Sequence, residues 1–175
     1  MSTKIEIIKH PSDYDWELCK LAAITTAGKR RVVTLPNDEW KHKILRARHS
    51  PIRTLHFLIR LDGVPSFVAT HIARHTHLMP FIQSKRDDLQ GDTEVDRWTP
   101  VLAMYEINAE ELMTLANKRL CGKAHEETRK VVRDMCEAVI ETNPEFAPFL
   151  VPFCKQYGCQ EMQPCSDPSK YLPRR

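Results

Sequence analysis

The stretch Arg74-His75-Thr76-His77-Leu78-Met79-Pro80-Phe81-Ile82-Gln83-Ser84-Lys85-Arg86 decides how this chain is read. An apolar segment from Val64 to Ala73 delivers the Arg74-His75 pair, and ten residues after Arg74 comes the triplet Ser84-Lys85-Arg86. Pro80 lacks an N–H and breaks the segment, so Gln83 to Arg86 are expected on a loop or turn. The layout gathers donors for anionic groups. Arginine forks onto a phosphate, while Ser84 and Gln83 add neutral hydrogen bonds that orient a ring or a phosphate oxygen. Physics alone therefore reads a phosphate or nucleotide site. Its bland rival is a charged helix end, with cations placed well against the C-terminal dipole, followed by a solvated loop.

Working outward, 175 residues with 42% hydrophobic content suffice for one core and one domain. A net charge of +3 speaks against a broad polybasic face for nucleic acid and leaves room for a local anion site. No apolar run reaches transmembrane length, and Met1-Ser2-Thr3-Lys4 is no secretory signal, so a cytoplasmic protein without membrane association is expected. In that compartment the six cysteines are expected as reduced thiols.

Ile5 to Lys9 reads as a strand, Asp13 to Thr26 as a helix, and Asn37 caps a second helix that ends near Ala47. Thr54 to Asp62 is rich in strand formers, Asp62-Gly63-Val64-Pro65 reads as a turn, and Ser66 as the cap of a helix running to Arg74. The polar stretch 87–100 reads as a loop and Leu102 to Ile107 as a strand. Asn108 caps a helix to about Cys121, with Leu112, Leu115, Ala116 and Leu120 on one face, and a long helix follows from Ala124 to Glu141. Pro144, Pro148 and Pro152 allow only short structure beyond it. Mixed strands and helices in this order indicate an α+β fold.

Three blocks then carry a resemblance. The pattern Arg74-His75-Thr76, seven residues, Ser84 and Arg86 resembles the signature of the flavin-dependent thymidylate synthases (ThyX). Upstream, His49-Ser50-Pro51, Phe57 and Arg60-Leu61-Asp62-Gly63-Val64 are similar to that family's lead-in. Downstream, Asn108 to Met113, Arg119-Leu120 and Ala124-His125-Glu126-Glu127-Thr128-Arg129 are similar to its second block, and the tail with Cys154, Cys159, Glu161 and Cys165 resembles that of some members.

The resemblance implies a ThyX-like fold, a short antiparallel sheet with flanking helices in a single domain. Residues 1–150 would form the catalytic domain and 151–175 a Pro/Cys-containing C-terminal tail. It implies a methyltransferase of nucleotide biosynthesis that methylates C5 of dUMP to give dTMP. Methylenetetrahydrofolate would supply the carbon, and reduction would run through FAD and NADPH. Arg74, His75, Thr76 and His77, with Lys123, fall at cofactor-binding positions. His71, Gln83, Ser84, Lys85, Arg86 and Arg119 fall at positions for the pyrimidine deoxynucleotide monophosphate, with Ser84 and Arg119 as the catalytic candidates. The family assembles as a homotetramer whose sites draw residues from different subunits. The protein's part there is placement and charge, since the cofactor carries the chemistry.

The chain also departs from the pattern. Thr76 stands where the third motif Arg belongs, His71 where the family has Gln, and Ile82 where it has Glu or Gln. Arg53-Thr54 replaces a Glu-His pair, Thr114 and Lys123 replace an Asn and a His, and the span between Arg86 and Arg119 is shorter. Two alternatives follow: a homologue acting on another pyrimidine nucleotide without the final reduction, and a nucleotide-binding homologue that has lost flavin.

No metal site is expected. His71, His75 and His77 lack the acidic residue of a metalloprotease helix. Cys154, Cys159 and Cys165, with Cys136 as a conceivable fourth ligand, are spaced more loosely than paired Cys-x-x-Cys ligands and read as free thiols. Cys121 and Cys136 lack the cationic setting of a nucleophilic thiol.

Overall fold

Four strands form one antiparallel sheet in the order β1-β2-β4-β3: β1 (Lys4–Lys9), β2 (His56–Pro65), β3 (Leu78–Ile82) and β4 (Pro100–Asn108). The computed structural model describes residues 3–30, 34–86, 88 and 96–165. Among these, six α-helices flank the sheet: α1 (Asp13–Thr26), α2 (Asp38–Ala47), α3 (Ser66–Ala73), α4 (Ala109–Arg119), α5 (Glu126–Thr142) and α6 (Phe153–Tyr157). No described helix is long and apolar enough to cross a membrane.

The sheet's side chains alternate as a half-covered sheet requires. Phe57, Ile59 and Leu61 of β2 and Val101, Ala103, Tyr105 and Ile107 of β4 are buried against the helices. Leu58, Arg60, Leu102 and Glu106 take the alternate positions. Leu112, Leu115 and Ala116 of α4 and Val131, Val132, Met135 and Val139 of α5 complete one continuous core. Each fully buried side chain of this size contributes about 1.5–3 kcal/mol relative to an exposed one. Inside that core the Tyr105 hydroxyl donates to the Ala69 carbonyl at 3.0 Å, tying α3 to the sheet. The result is the single α+β domain expected.

Two local expectations give way. Asp62-Gly63-Val64-Pro65 is not a turn: β2 runs through it to Pro65, with an irregularity in its pairing with β4 between Leu61 and Val64. Gly63, at φ +74°, absorbs the extra residue in a conformation other side chains resist. Ser66 does not cap α3 either, because its hydroxyl donates to the Arg97 carbonyl instead. The helix is capped from a distance. The Ser66 and Phe67 N–H groups donate to the Thr99 and Arg97 carbonyls at 3.1 and 3.2 Å.

Pro80 falls within β3, a strand absent from the sequence expectation. β3 is the last strand in the sheet order, where a missing N–H costs no ladder bond on the open side. Gln83 extends the pairing past the strand end, its N–H donating to the Leu102 carbonyl and its Oε1 accepting from the Leu102 N–H.

One arginine ties the end of α2 to α4. Arg48 ends α2 in the left-handed conformation, φ +50°. Its guanidinium donates to Asn117 Oδ1, Thr114 Oγ1 and the Glu110 carbonyl at 3.1, 2.7 and 3.1 Å. Asn117 in turn donates to the Val151 carbonyl at 2.7 Å, so the start of the tail is tied to the same helix.

Candidate functional site

The motif turn Arg74–His77 leaves the end of α3 and meets the α4 face that carries Glu111, Lys118 and Arg119. Asn108 accepts the Glu111 N–H at 3.0 Å, a conventional helix cap. The Glu111 side chain does not return to the cap. Its Oε1 lies 2.9 Å from His75 Nδ1, and its Oε2 accepts the His77 backbone N–H at 3.2 Å. Both side chains of the His75–Glu111 pair are 8% exposed, so the carboxylate is desolvated and satisfied by the motif it holds.

Arg119 closes the arrangement from the other side. Its Nε donates to His75 Nε2 at 3.3 Å and its terminal nitrogen to the His71 carbonyl at 2.9 Å. A ring nitrogen that accepts from arginine carries no proton, so the His75 proton sits on Nδ1 and is donated to Glu111. The chain Arg119–His75–Glu111 thereby fixes one tautomer. Burial pushes the His75 pKa below the usual imidazole value, against the pull of Glu111, and Arg119 adds to the depression. His71 is lowered too, by desolvation first and then by Arg119 and Arg74. Arg119 is itself depressed by burial and by Arg74 nearby.

These groups border an open cleft of about 400 Å³ lined by Arg74, His75, Thr76, His77, Glu111, Thr114, Lys118 and Arg119. Arg74 and Lys118 are exposed and bring positive charge to it, and the one carboxylate in its wall is turned to His75 and His77. The lining suits an anion such as a phosphate. Thr76 and His77 also border a second cleft of about 420 Å³ with His56, Leu78 and Glu106.

The residues singled out in the sequence thus divide. Arg74, His75, Thr76, His77 and Arg119 meet at the first cleft. His71 lies outside its lining and touches it only through its carbonyl, which accepts from Arg119, while its ring faces Thr128, with Nδ1 2.9 Å from Oγ1. Gln83 is committed to β4, and Lys85 donates to Ser66 Oγ and the Asp96 carbonyl, each at 2.6 Å. Ser84 Oγ accepts the Arg86 N–H at 3.3 Å. Arg86 forks onto Asp88 at 3.0 and 2.7 Å. Lys123 lies in the turn after α4, outside the cleft lining. Arg53 pairs with Glu110 at the surface.

The sequence reading misses Lys118 and Glu111 of this cleft. For Glu111 the signal was present: an acid one place before Leu112 and four before Leu115 on a buried helix needs a partner.

The thiols lie elsewhere. Cys121, Cys154, Cys159 and Cys165 line a separate cavity of about 210 Å³ between the end of α4 and the tail. Cys121 is held up by burial and by Glu161, whose carboxylate lies 3.6 Å from its sulfur. Cys136 is fully buried on α5, its thiol pushed up to about 12 by desolvation. Among the described residues no group of three or more His, Cys, Asp or Glu is arranged to hold a metal ion.

No protein-family model and no curated protein matches the sequence. Solved structures do match in fold. A crystal structure of thymidylate synthase X from Helicobacter pylori with FAD and dUMP superposes with a TM-score of 0.64 at 14% identity, covering 77% of this chain and 92% of that one. A second, described as flavin-dependent thymidylate synthase ThyX from Helicobacter pylori complexed with FAD and dUMP, gives 0.64 and 14%, covering 77% and 93%. The chain therefore has a ThyX-like fold.

Proposed function

We propose that this protein is a flavin-dependent, thymidylate-synthase-like enzyme that methylates C5 of dUMP with methylenetetrahydrofolate, using FAD and NADPH for reduction. The observation that carries the reading is the junction of Arg74-His75 with Arg119. Residues 44 positions apart, from two blocks of the resemblance, meet through the 3.3 Å contact of Arg119 with His75.

The donor set fits a flavin dinucleotide. Arg74 and Lys118 face an open cleft beside Thr76 and His77, which suits a pyrophosphate, and the lining carboxylate, Glu111, is turned to His75 and the His77 N–H. When bound, FAD supplies the hydride chemistry of the reduction. The chain's own residues do the rest. Arg119, held by His75 and the His71 carbonyl, keeps a fixed direction toward the nucleotide. Glu111 holds His75 in the tautomer that accepts from Arg119. Ser84 and Arg86, outside this cleft, serve a nucleotide phosphate in a neighbouring subunit's site, in line with a homotetramer. Residues 1–150 act as the catalytic domain and 151–175 as its tail.

A second reading, another pyrimidine nucleotide as substrate, is favoured by His71. Its ring is engaged by Thr128 and offers different hydrogen bonds from the amide the family carries there. The test is turnover. Incubation with FAD, NADPH, methylenetetrahydrofolate and either dUMP or dCMP, followed by chromatography, should give dTMP from dUMP. A C5-modified cytidylate instead would select the second reading, and unchanged nucleotides with flavin bound would refute both.

A further inference from the structure

The cap that residues 96–99 place on α3 also builds a cluster of rings around Phe67. Asp96 fixes this segment, its carboxylate accepting the Trp98 and Thr99 N–H groups, each at 2.8 Å. Lys85 and the α3 N–H groups bind its carbonyls. Trp98 is thereby set against Phe67, with centroids 4.8 Å apart at 72°. Phe67 also meets His125 at 4.9 Å and 71° and His71 at 5.5 Å and 82°. Arg97 lies over the Phe67 ring at 4.7 Å and near Trp98 at 5.8 Å.

Two features mark this as more than a packed corner. Phe67 is the hub: Trp98, His125 and His71 meet it edge-on and Arg97 lies over its ring, so the exposed face is that of the Trp98 indole. Phe67 is 9% exposed and forms a floor, yet Trp98 stays 51% exposed with aromatic neighbours at hand. Positive charge is at hand: Arg97 lies over the Phe67 ring, and Arg119 and Arg74 act electrostatically on His71. Asp96, the nearby carboxylate, is spent on its own turn. An exposed indole over an aromatic floor and beside arginines is a platform for a flat, negatively charged molecule.

We propose that the indole of Trp98, buttressed by Phe67 and His125 and flanked by Arg97, is a stacking face for the planar ring of an anionic heteroaromatic ligand. The inference rests on the function proposed above and names a part of that site. It adds a ring shelf, reached past His71, to the phosphate-binding cleft. The shared chemistry is a planar heterocycle carrying phosphate or carboxylate, which either the pyrimidine nucleotide or the reduced folate with its glutamate supplies.

Calorimetric titration of the flavin-loaded protein with dUMP, and separately with tetrahydrofolate, tests this in the wild type, Trp98→Leu, Trp98→Phe and Arg97→Gln. Trp98→Leu should weaken one of the two ligands by about tenfold or more and Arg97→Gln by about fivefold, while Trp98→Phe stays within about threefold. Thermal midpoints and FAD uptake, followed by absorbance, should not change. Loss confined to dUMP assigns the pyrimidine ring to the shelf, and loss confined to the folate assigns the pterin. Equal affinities for both ligands in all four proteins overturn the proposal, as does a wild type that binds neither. A wild type that takes up no FAD refutes the flavin reading instead. Ring binding by the flavin-free protein, and its loss in Trp98→Leu, then decides the shelf alone.

Discussion

The two halves of the stretch 74–86 are built in opposite ways. The first half is cross-linked to a distant helix: Glu111 holds His75 and the His77 N–H, and Arg119 holds His75 and the His71 carbonyl. In the second half, Gln83 and Lys85 serve the fold, while the Arg86 guanidinium is paired with Asp88, two residues away. One half is fixed by the chain's own tertiary structure. The other is tied down through Gln83 and Lys85 but ends on a cation held by a local partner.

The contrast can be broken at several points. Glu111→Ala should do most damage, since it strands the His75 Nδ1–H and the His77 N–H in a buried place. A loss of about 2–3 kcal/mol is expected, read from urea unfolding, because hydrogen bonds to a charged group are the strong ones. A loss under about 0.5 kcal/mol, the range of ordinary surface changes, would mean the carboxylate is not the anchor. Arg119→Ala should leave the fold cooperative and weaken dUMP by about tenfold or more, as the loss of a charge-assisted contact predicts. Unchanged affinity in calorimetry would remove Arg119 from the site.

Acid should loosen the rigid half. His71 and His75 have folded pKa values below the usual imidazole value, so as pH falls from 7.5 toward 5.5 the unfolded chain takes up protons first. Stability conferred by the neutral rings is complete above the usual value of about 6.5 and is lost below it. The urea midpoint should fall over that window, and less so in His75→Gln; a flat profile would show that burial of these rings is not felt. Smallest of all, Arg86→Ala should change stability by less than about 0.5 kcal/mol, its side chain being 72% exposed. A larger loss would place Arg86 among the structural residues of this chain.

Much of this architecture is legible in local sequence, and the reason is periodicity. α1 follows from apolar spacing, and α2 from the Asn37 cap, which works within three residues. The motif's two cationic ends are equally plain. What the sequence hides is whatever one segment does for another far away. Ser66 reads as a cap because Ser usually is one, yet α3 is capped by carbonyls some thirty residues on. Gly63 reads as a turn because the same positive φ serves a turn and a bulge alike. Pro80 reads as a break, since only the strand order reveals that its strand lies at the edge. Glu111 follows a cap in the way of a capping-box acid, and only the fold turns it onto His75.

The most direct test is a paired titration of the purified protein, with FAD followed by absorbance and dUMP and dCMP by calorimetry. The account predicts stoichiometric flavin uptake and binding of dUMP in preference to dCMP, both lost or weakened in Arg74→Ala. A protein that takes up no flavin and binds neither nucleotide would contradict it, and the cleft between Arg74 and Arg119 would then be scaffold alone.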